Sequence, residues 1–181
     1  MDAPKIKIEN VVASTNIDRI IPLDKLLGVL EASEYEPEQF PGLIFRLDKP
    51  KVASLIFRSG KIICIGARSV AESKMGLKEI IKRIKRIGIR VNEDNIDVKV
   101  ENIVVSVDLK KELNLDSLAF QLEASEYEPE QFPGLVFRLF EPKVAFLLFS
   151  SGRIICAGGK SIADVKKAVE ILQKKLKEIK M

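Results

Sequence analysis

The sequence predicts an α+β fold built twice from one plan. Three observations carry this. Residues 31–43 return letter for letter at 123–135, 92 positions on, and the register holds without a gap, so that 1–89 laid on 93–181 gives 44 identities in 89 pairs. Each half runs from stretches of strand-like alternation into one long amphipathic stretch. The segments 52–57 and 144–149 are apolar at both parities, so both faces of those strands are apolar. Two near-identical halves, 1–89 and 93–181, imply a pseudo-twofold molecule with both repeats fused in one chain.

The elements follow in order. A first strand alternates over 5–12 and is matched by 97–104. A short helix follows over 23–30, with Asp24 early in its first turn, and its partner spans 115–122. The repeated segment 31–43, rich in Pro, Glu and Gly, reads as a loop. Strands follow over 43–47, 52–57 and 62–65, and Ser59-Gly60, like Ser151-Gly152, supplies the tight hairpin between the last two. A long helix over 70–87 closes the unit with an apolar stripe at Val70, Leu77, Ile80, Ile81, Ile84 and Ile87, and 161–179 repeats it. Ser69 and Ser161 are the predicted N-caps, with Glu72 and Asp164 three residues later. These are eight strands, four in each half, against two substantial helices. Two helices cover one face of such a sheet, not both. Either the sheet closes into a barrel, or it leaves an apolar face open to something outside the chain.

Composition narrows the function classes. The 181 residues are 31% charged and 46% hydrophobic, an ordinary globular balance. No apolar run reaches the roughly 20 residues of a membrane span, and no basic-then-apolar signal opens the chain, so a cytoplasmic, nucleoid-associated protein is expected. Cys64 and Cys156 are repeat equivalents inside apolar strand patterns and read as buried free thiols. With no histidine in the chain, no metal site or other cofactor is expected. The net charge of +4 is unevenly spread: 16 basic and 11 acidic residues in 1–89, 13 and 15 in 93–181, and Arg90 between them. The basic cluster Lys78, Lys82, Arg83, Lys85 and Arg86 fits a solvated helix face, an acidic regulator or flanking DNA. The paired carboxylates Glu36/Glu38 and Glu128/Glu130 lie in a loop without a nucleophile, metal cluster or phosphate-binding Gly-rich loop nearby, so an enzyme is not expected. Abundant Ile, Lys and Glu resemble a thermophile's usage.

The motifs Glu-Pro-Glu-Gln-Phe-Pro-Gly (36–42 and 128–134), Leu-Ile-Phe-Arg-Ser-Gly-Lys (55–61), Leu-Leu-Phe-Ser-Ser-Gly-Arg (147–153), Ile8-Glu-Asn-Val-Val12 and Val100-Glu-Asn-Ile-Val104 resemble the TATA-binding protein family over essentially the whole chain. Without the long N-terminal extension of many eukaryotic members, the sequence looks like an archaeal version. The resemblance implies a saddle: one curved ten-stranded antiparallel sheet, helices on its convex face, and a concave face that lies on the minor groove of A·T-rich promoter DNA. It also implies wedge-driven kinking, a property of the family and not of the residue pattern.

Residue by residue, the resemblance makes Phe40 with Phe57, and Phe132 with Phe149, the two wedge pairs. Asn10 and Asn102 would donate to the A N3 and T O2 acceptors. Val12, Val104, Leu55, Leu147, Ile63 and Ile155 would form an apolar floor, and Arg46, Arg138, Lys51 and Lys143 would meet phosphates. Glu128, Glu130 and Gln131 match residues that contact transcription factor B, which in turn leads to RNA polymerase. The first-half copy, Glu36, Glu38 and Gln39, is identical. Two departures stand out. Ile65 and Ala157 replace the family's frequent threonine or serine, and Arg58 stands opposite Ser150 across the repeat. The implied function is a general transcription factor that binds and bends TATA-like DNA. The alternative is an interaction module of the same fold that no longer reads promoters. The open apolar face also leaves room for a homodimer of the free protein.

Overall fold

The computed structural model describes residues 4–179. In chain order these form β1 (Ile6–Asn16), α1 (Leu23–Leu27), β2 (Ser33–Glu34), β3 (Leu43–Asp48), β4 (Lys51–Ile56), β5 (Lys61–Ala67) and α2 (Val70–Lys85). A single 3-10 turn, Glu93–Asn95, precedes β6 (Lys99–Asp108), α3 (Leu115–Gln121), β7 (Ser125–Glu126), β8 (Leu135–Phe140), β9 (Lys143–Leu148), β10 (Arg153–Gly159) and α4 (Ile162–Glu178). The ten strands hydrogen-bond in the order β2-β3-β4-β5-β1-β6-β10-β9-β8-β7. This order ends on β2 and β7 and does not close, which decides against the barrel.

The chain divides into two compact units, one of Asn10–Glu101 and one of the described residues on either side of it, 4–9 and 102–179. The division cuts β1 and β6 and not the junction between the repeats, so each of these strands contributes to both units. Within the first unit Ser14 donates to Glu101 Oε1 at 2.8 Å. Within the second, Ser106 donates to Glu9 Oε1 at 2.7 Å, the repeat-equivalent bond.

Each unit places one long helix on one face of its strands. Burial along β4 and β5 alternates, with Val52, Ser54, Ile56, Ile62 and Cys64 buried and Ala53, Leu55, Ile63 and Ile65 half-exposed. The buried set faces α2, which presents Leu77, Ile80, Ile81 and Ile84. Each of these aliphatic side chains contributes about 1.5–3 kcal/mol by leaving water. Gly76 permits the close approach, because a Cβ there would stand 3.1 Å from Cys64 Sγ and from Val52 Cγ2. Ser69 accepts from Glu72 N–H at 3.0 Å and Ser161 from Asp164 N–H at 3.1 Å, so both predicted caps form. Basic side chains fill the last turn of each long helix, where the dipole favours them.

The short helices stop earlier than the apolar pattern suggests. α1 ends at Leu27, although Leu30 is still buried, because the chain bends through Gly28 and enters positive φ at Ala32. The strand without any alternation to mark it in each half is the two-residue β2 or β7, inside the segment read as loop. The Ser-Gly hairpins have a second task. Gly60 and Gly152 sit at positive φ, and a Cβ on either would run into the backbone at Arg19 or Lys111. The turn thereby anchors the connection into the short helix, with Ile17 N–H donating to Gly60 O and Ile21 N–H to Arg58 O.

Candidate nucleic-acid interface

The side chains that alternate away from the helices leave an apolar sheet face without a helix on it. In the unit of Asn10–Glu101 its rows follow from register: Ile44 pairs with Leu55 and Leu55 with Ile63, while Arg46 pairs with Ala53 and Ala53 with Ile65. In the other unit the rows are Val136–Leu147–Ile155 and Arg138–Ala145–Ala157. Val12 and Val104, half-exposed like their neighbours, extend the floor along β1 and β6. Each floor residue therefore stands on a helix-free face, three strands deep in its own unit.

A phenylalanine pair stands at one end of each face. Phe57 opens the β4–β5 hairpin, its N–H bonded to Lys61 O at 2.9 Å, and Phe40 reaches it from the loop with ring centroids 5.8 Å apart at 68°. Phe149 and Phe132 repeat this at 6.0 Å and 67°. Such edge-to-face contact stabilises a pair by about 0.5–1.5 kcal/mol. It does not cover the rings, since Phe40 is 38% and Phe132 41% exposed. Gly42 and Gly134 complete the seat. A Cβ on either would lie 2.7 Å from the loop phenylalanine and 3.1 Å from the hairpin one, so any larger residue displaces the pair.

An asparagine stands towards the other end of each face. Asn10 Oδ1 accepts from Gly66 N–H at 2.7 Å, and Asn102 Oδ1 from Gly158 N–H at 2.7 Å. A backbone N–H can only donate, so it is the amide oxygen that is taken, and Nδ2 is the end of the side chain that can donate to another group. The glycines can do this because each lies in a β-bulge at φ +97° or +104°, a region that suits glycine. Sequence reasoning singled out the asparagines and missed these partners. A glycine inside a strand pattern is the signal that marks such a bulge.

The predicted phosphate cations are exposed on the same faces, at their outer strands. Arg46 Nη1 is bonded to Glu34 Oε1 at 3.1 Å and Arg138 Nη1 to Glu126 Oε1 at 3.0 Å, both pairs well exposed. An exposed pair of this kind is worth about 0–1 kcal/mol, so a phosphate can displace the carboxylate. Lys51 and Lys143 stand opposite Asp48 and Phe140 in register. The loop residues Glu128, Glu130 and Gln131 are exposed and, with Pro129, line a shallow recess of about 340 Å³. A second recess of about 500 Å³ adjoins the loop at Tyr127 and is lined by Glu112, Asp116 and Ser150 among others.

The basic cluster lies on α2, which covers the opposite face of its unit. There Arg83 pairs with Glu79 at 3.0 Å and Lys85 with Glu93 at 2.6 Å, so two of its cations are already engaged. Both cysteines are free and buried. Among the described residues no group of three or more His, Cys, Asp or Glu could hold a metal, and no helix is long and apolar enough to cross a membrane.

Comparison with known proteins agrees with this fold. The family model of transcription factor TFIID, or TATA-binding protein, matches twice, at residues 5–87 and 97–179. The chain is similar to the TATA-box-binding protein of Archaeoglobus fulgidus, 51% identical over 97% of this chain and 96% of that one. It is likewise similar to the TATA-box-binding protein of Methanocaldococcus jannaschii, 52% identical with the same coverage. A solved structure of Methanococcus jannaschii TBP superposes with a TM-score of 0.89 at 52% identity, covering 97% of this chain and all of the other.

Proposed function

Since the chain belongs to the TATA-binding protein family, a family of non-enzymatic transcription factors, we propose that it acts at promoters by lying on the minor groove of A·T-rich DNA, bending it, and seating transcription factor B, through which RNA polymerase is recruited. The two repeats, 1–89 and 93–181, would each supply half of the contact. The observation that carries this reading is the duplicated helix-free face. Each unit leaves the same apolar floor open, with an exposed phenylalanine pair at one end and an asparagine amide towards the other.

The physical chemistry suits a minor groove. Both orientations of an A·T pair present only acceptors there, which an Nδ2 donor can meet. Guanine adds an N2 amino group that is itself a donor. An apolar floor adapts to a widened groove without demanding further hydrogen bonds. Unstacking a base step costs a few kcal/mol, and a flat apolar ring can fill the opened step. The four outer cations position the duplex without reading it.

A gel shift or fluorescence bending assay on a TATA-containing duplex, against one with G·C pairs at the centre, tests the reading. Each G·C replacement is expected to cost about 1–3 kcal/mol, so two weaken binding about 30-fold or more. The logarithm of affinity should fall with that of salt with a slope of about −3 to −4, one counterion for each of the four cations. Equal binding to both duplexes would sink the proposal.

Partner choice is tested at the second loop. Glu128→Arg should weaken recruitment of transcription factor B to the DNA complex at least tenfold, since the reversed charge faces the same partner surface. DNA affinity should change much less, because Glu128 is not among the wedge, floor, amide or phosphate-binding side chains. An unchanged recruitment would remove Glu128 from the partner site.

A further inference from the structure

The helix-free faces of the two units are close to copies, and this raises the question of what tells one end of the molecule from the other. On the helix-covered side the repeats have been repacked: Ser54 becomes Phe146, Gly76 becomes Ala168, Thr15 becomes Val107. On the open strand faces the pairs are identical or conservative at nearly every position, including the phenylalanines, the asparagines, Arg46/Arg138 and Lys51/Lys143. Three positions change character. Asn16 becomes Asp108 at the far end of the first strand of each repeat, Ile65 becomes Ala157 in the floor, and Asp48 becomes Phe140 at the outer edge; the last two share the rows of the outer cations.

Register places the last two pairs on the face. Ile65 lies opposite Ala53 and Ala157 opposite Ala145, each in the row of an outer arginine. Asp48 lies opposite Lys51 and Phe140 opposite Lys143, two residues along the strand from that arginine. Asp48 is exposed, and Phe140 is 78% exposed, which is unusual for a phenylalanine in a strand.

Resting on the proposed minor-groove function, we infer that positions 65/157 and 48/140 set the direction in which the protein lies on its DNA. An asymmetric A·T-rich element has one half rich in deformable TA steps and one stiff, narrow-grooved half. Two identical protein faces would bind it equally in either direction. A floor with isoleucine in one half and alanine in the other does not, because the bulkier side chain demands a wider groove. An edge with a carboxylate in one half and an aromatic ring in the other does not either. The carboxylate repels the more negative potential of a narrow groove, and the ring offers apolar contact to the sugars.

The test reads direction separately from binding. A Glu36→Cys variant carries a tethered iron-chelate cleaver on the exposed first-half loop, while Cys64 and Cys156 stay buried and unlabelled. Cleavage is mapped on a duplex whose element has TA steps at one end and an A-tract at the other. The unswapped protein should cut one end at least threefold more than the other. The fourfold exchange Ile65→Ala, Ala157→Ile, Asp48→Phe and Phe140→Asp should invert or erase that ratio. The edge exchange alone, Asp48→Phe with Phe140→Asp, lies at exposed positions that folding tolerates and should move the ratio in the same direction. Equal cutting by the unswapped protein, or a ratio that the exchanges leave alone, overturns the inference while A·T-selective bending in the same samples keeps the minor-groove reading. Loss of that selectivity in the unswapped protein overturns both.

Discussion

Replacing Phe57 and Phe149 together by alanine is expected to abolish DNA bending and leave the fold intact. The two rings belong to different units, so neither unit retains its pair. Base–aromatic stacking is worth about 1–3 kcal/mol per base, and two lost rings should weaken binding about 30-fold to 10⁴-fold. The kink itself should go, because nothing else at those strand ends can fill an opened step: Phe40 and Phe132 are seated by edge contact with the rings removed. The fold should survive. Phe57 and Phe149 are half-exposed and open the hairpins from the helix-free side, while the core beneath them is Ile56, Ile62, Leu148 and Ile154. Loss of each aromatic contact should cost about 0.5–1.5 kcal/mol. Bending by resonance energy transfer and melting by circular dichroism separate the two effects. Bending that persists at wild-type angle would refute the wedge mechanism.

This prediction uses residues that pattern alone would have buried. An apolar strand end reads as core, and only the repeat-wide resemblance turned Phe57 and Phe149 outward. The long helices were legible because a stripe such as Leu77, Ile80, Ile81, Ile84 and a serine cap are local signals, and local signals survive in sequence. The hairpins were legible for the same reason. The short β2 and β7 were not, since two residues carry no period and their pairing is decided by β3 and β8. Nor was the lock on Asn10, which depends on a bulged glycine 56 residues away. The Glu34–Arg46 pair was hidden for a similar reason. It arises because Glu34 registers opposite Ile44, one row from the arginine. What the sequence conceals here is consistently non-local: which polar groups meet across strands, and hence which end of an amide or guanidinium is spoken for.

Alkaline pH should destabilise the protein through its two cysteines. Burial, and then the nearby Glu72 carboxylate, push the Cys64 thiol up to about 11 from its ordinary 9.0. Burial alone pushes Cys156 up to about 12. Both thiols face the helices and are fully inaccessible, so the folded chain keeps them protonated when the unfolded chain has released its protons. Below pH 9 the two states bind these protons equally and stability is unaffected. Above it the unfolded state binds fewer protons, and stability falls as pH rises. Both thiols contribute until Cys64 titrates near pH 11, after which Cys156 continues alone towards pH 12. Even a part of that loss matters against the small net stability of an ordinary domain. The measurement is a difference, so that contributions common to both proteins cancel. Denaturant unfolding of the wild type and of Cys64→Ala/Cys156→Ala is followed from pH 8 to 11. The variant should start lower, because each substitution leaves a small void, and then decline less steeply, so that the two curves converge and cross. Parallel curves would mean that the thiols ionise in the folded state, and a thiol reagent should then label them without unfolding.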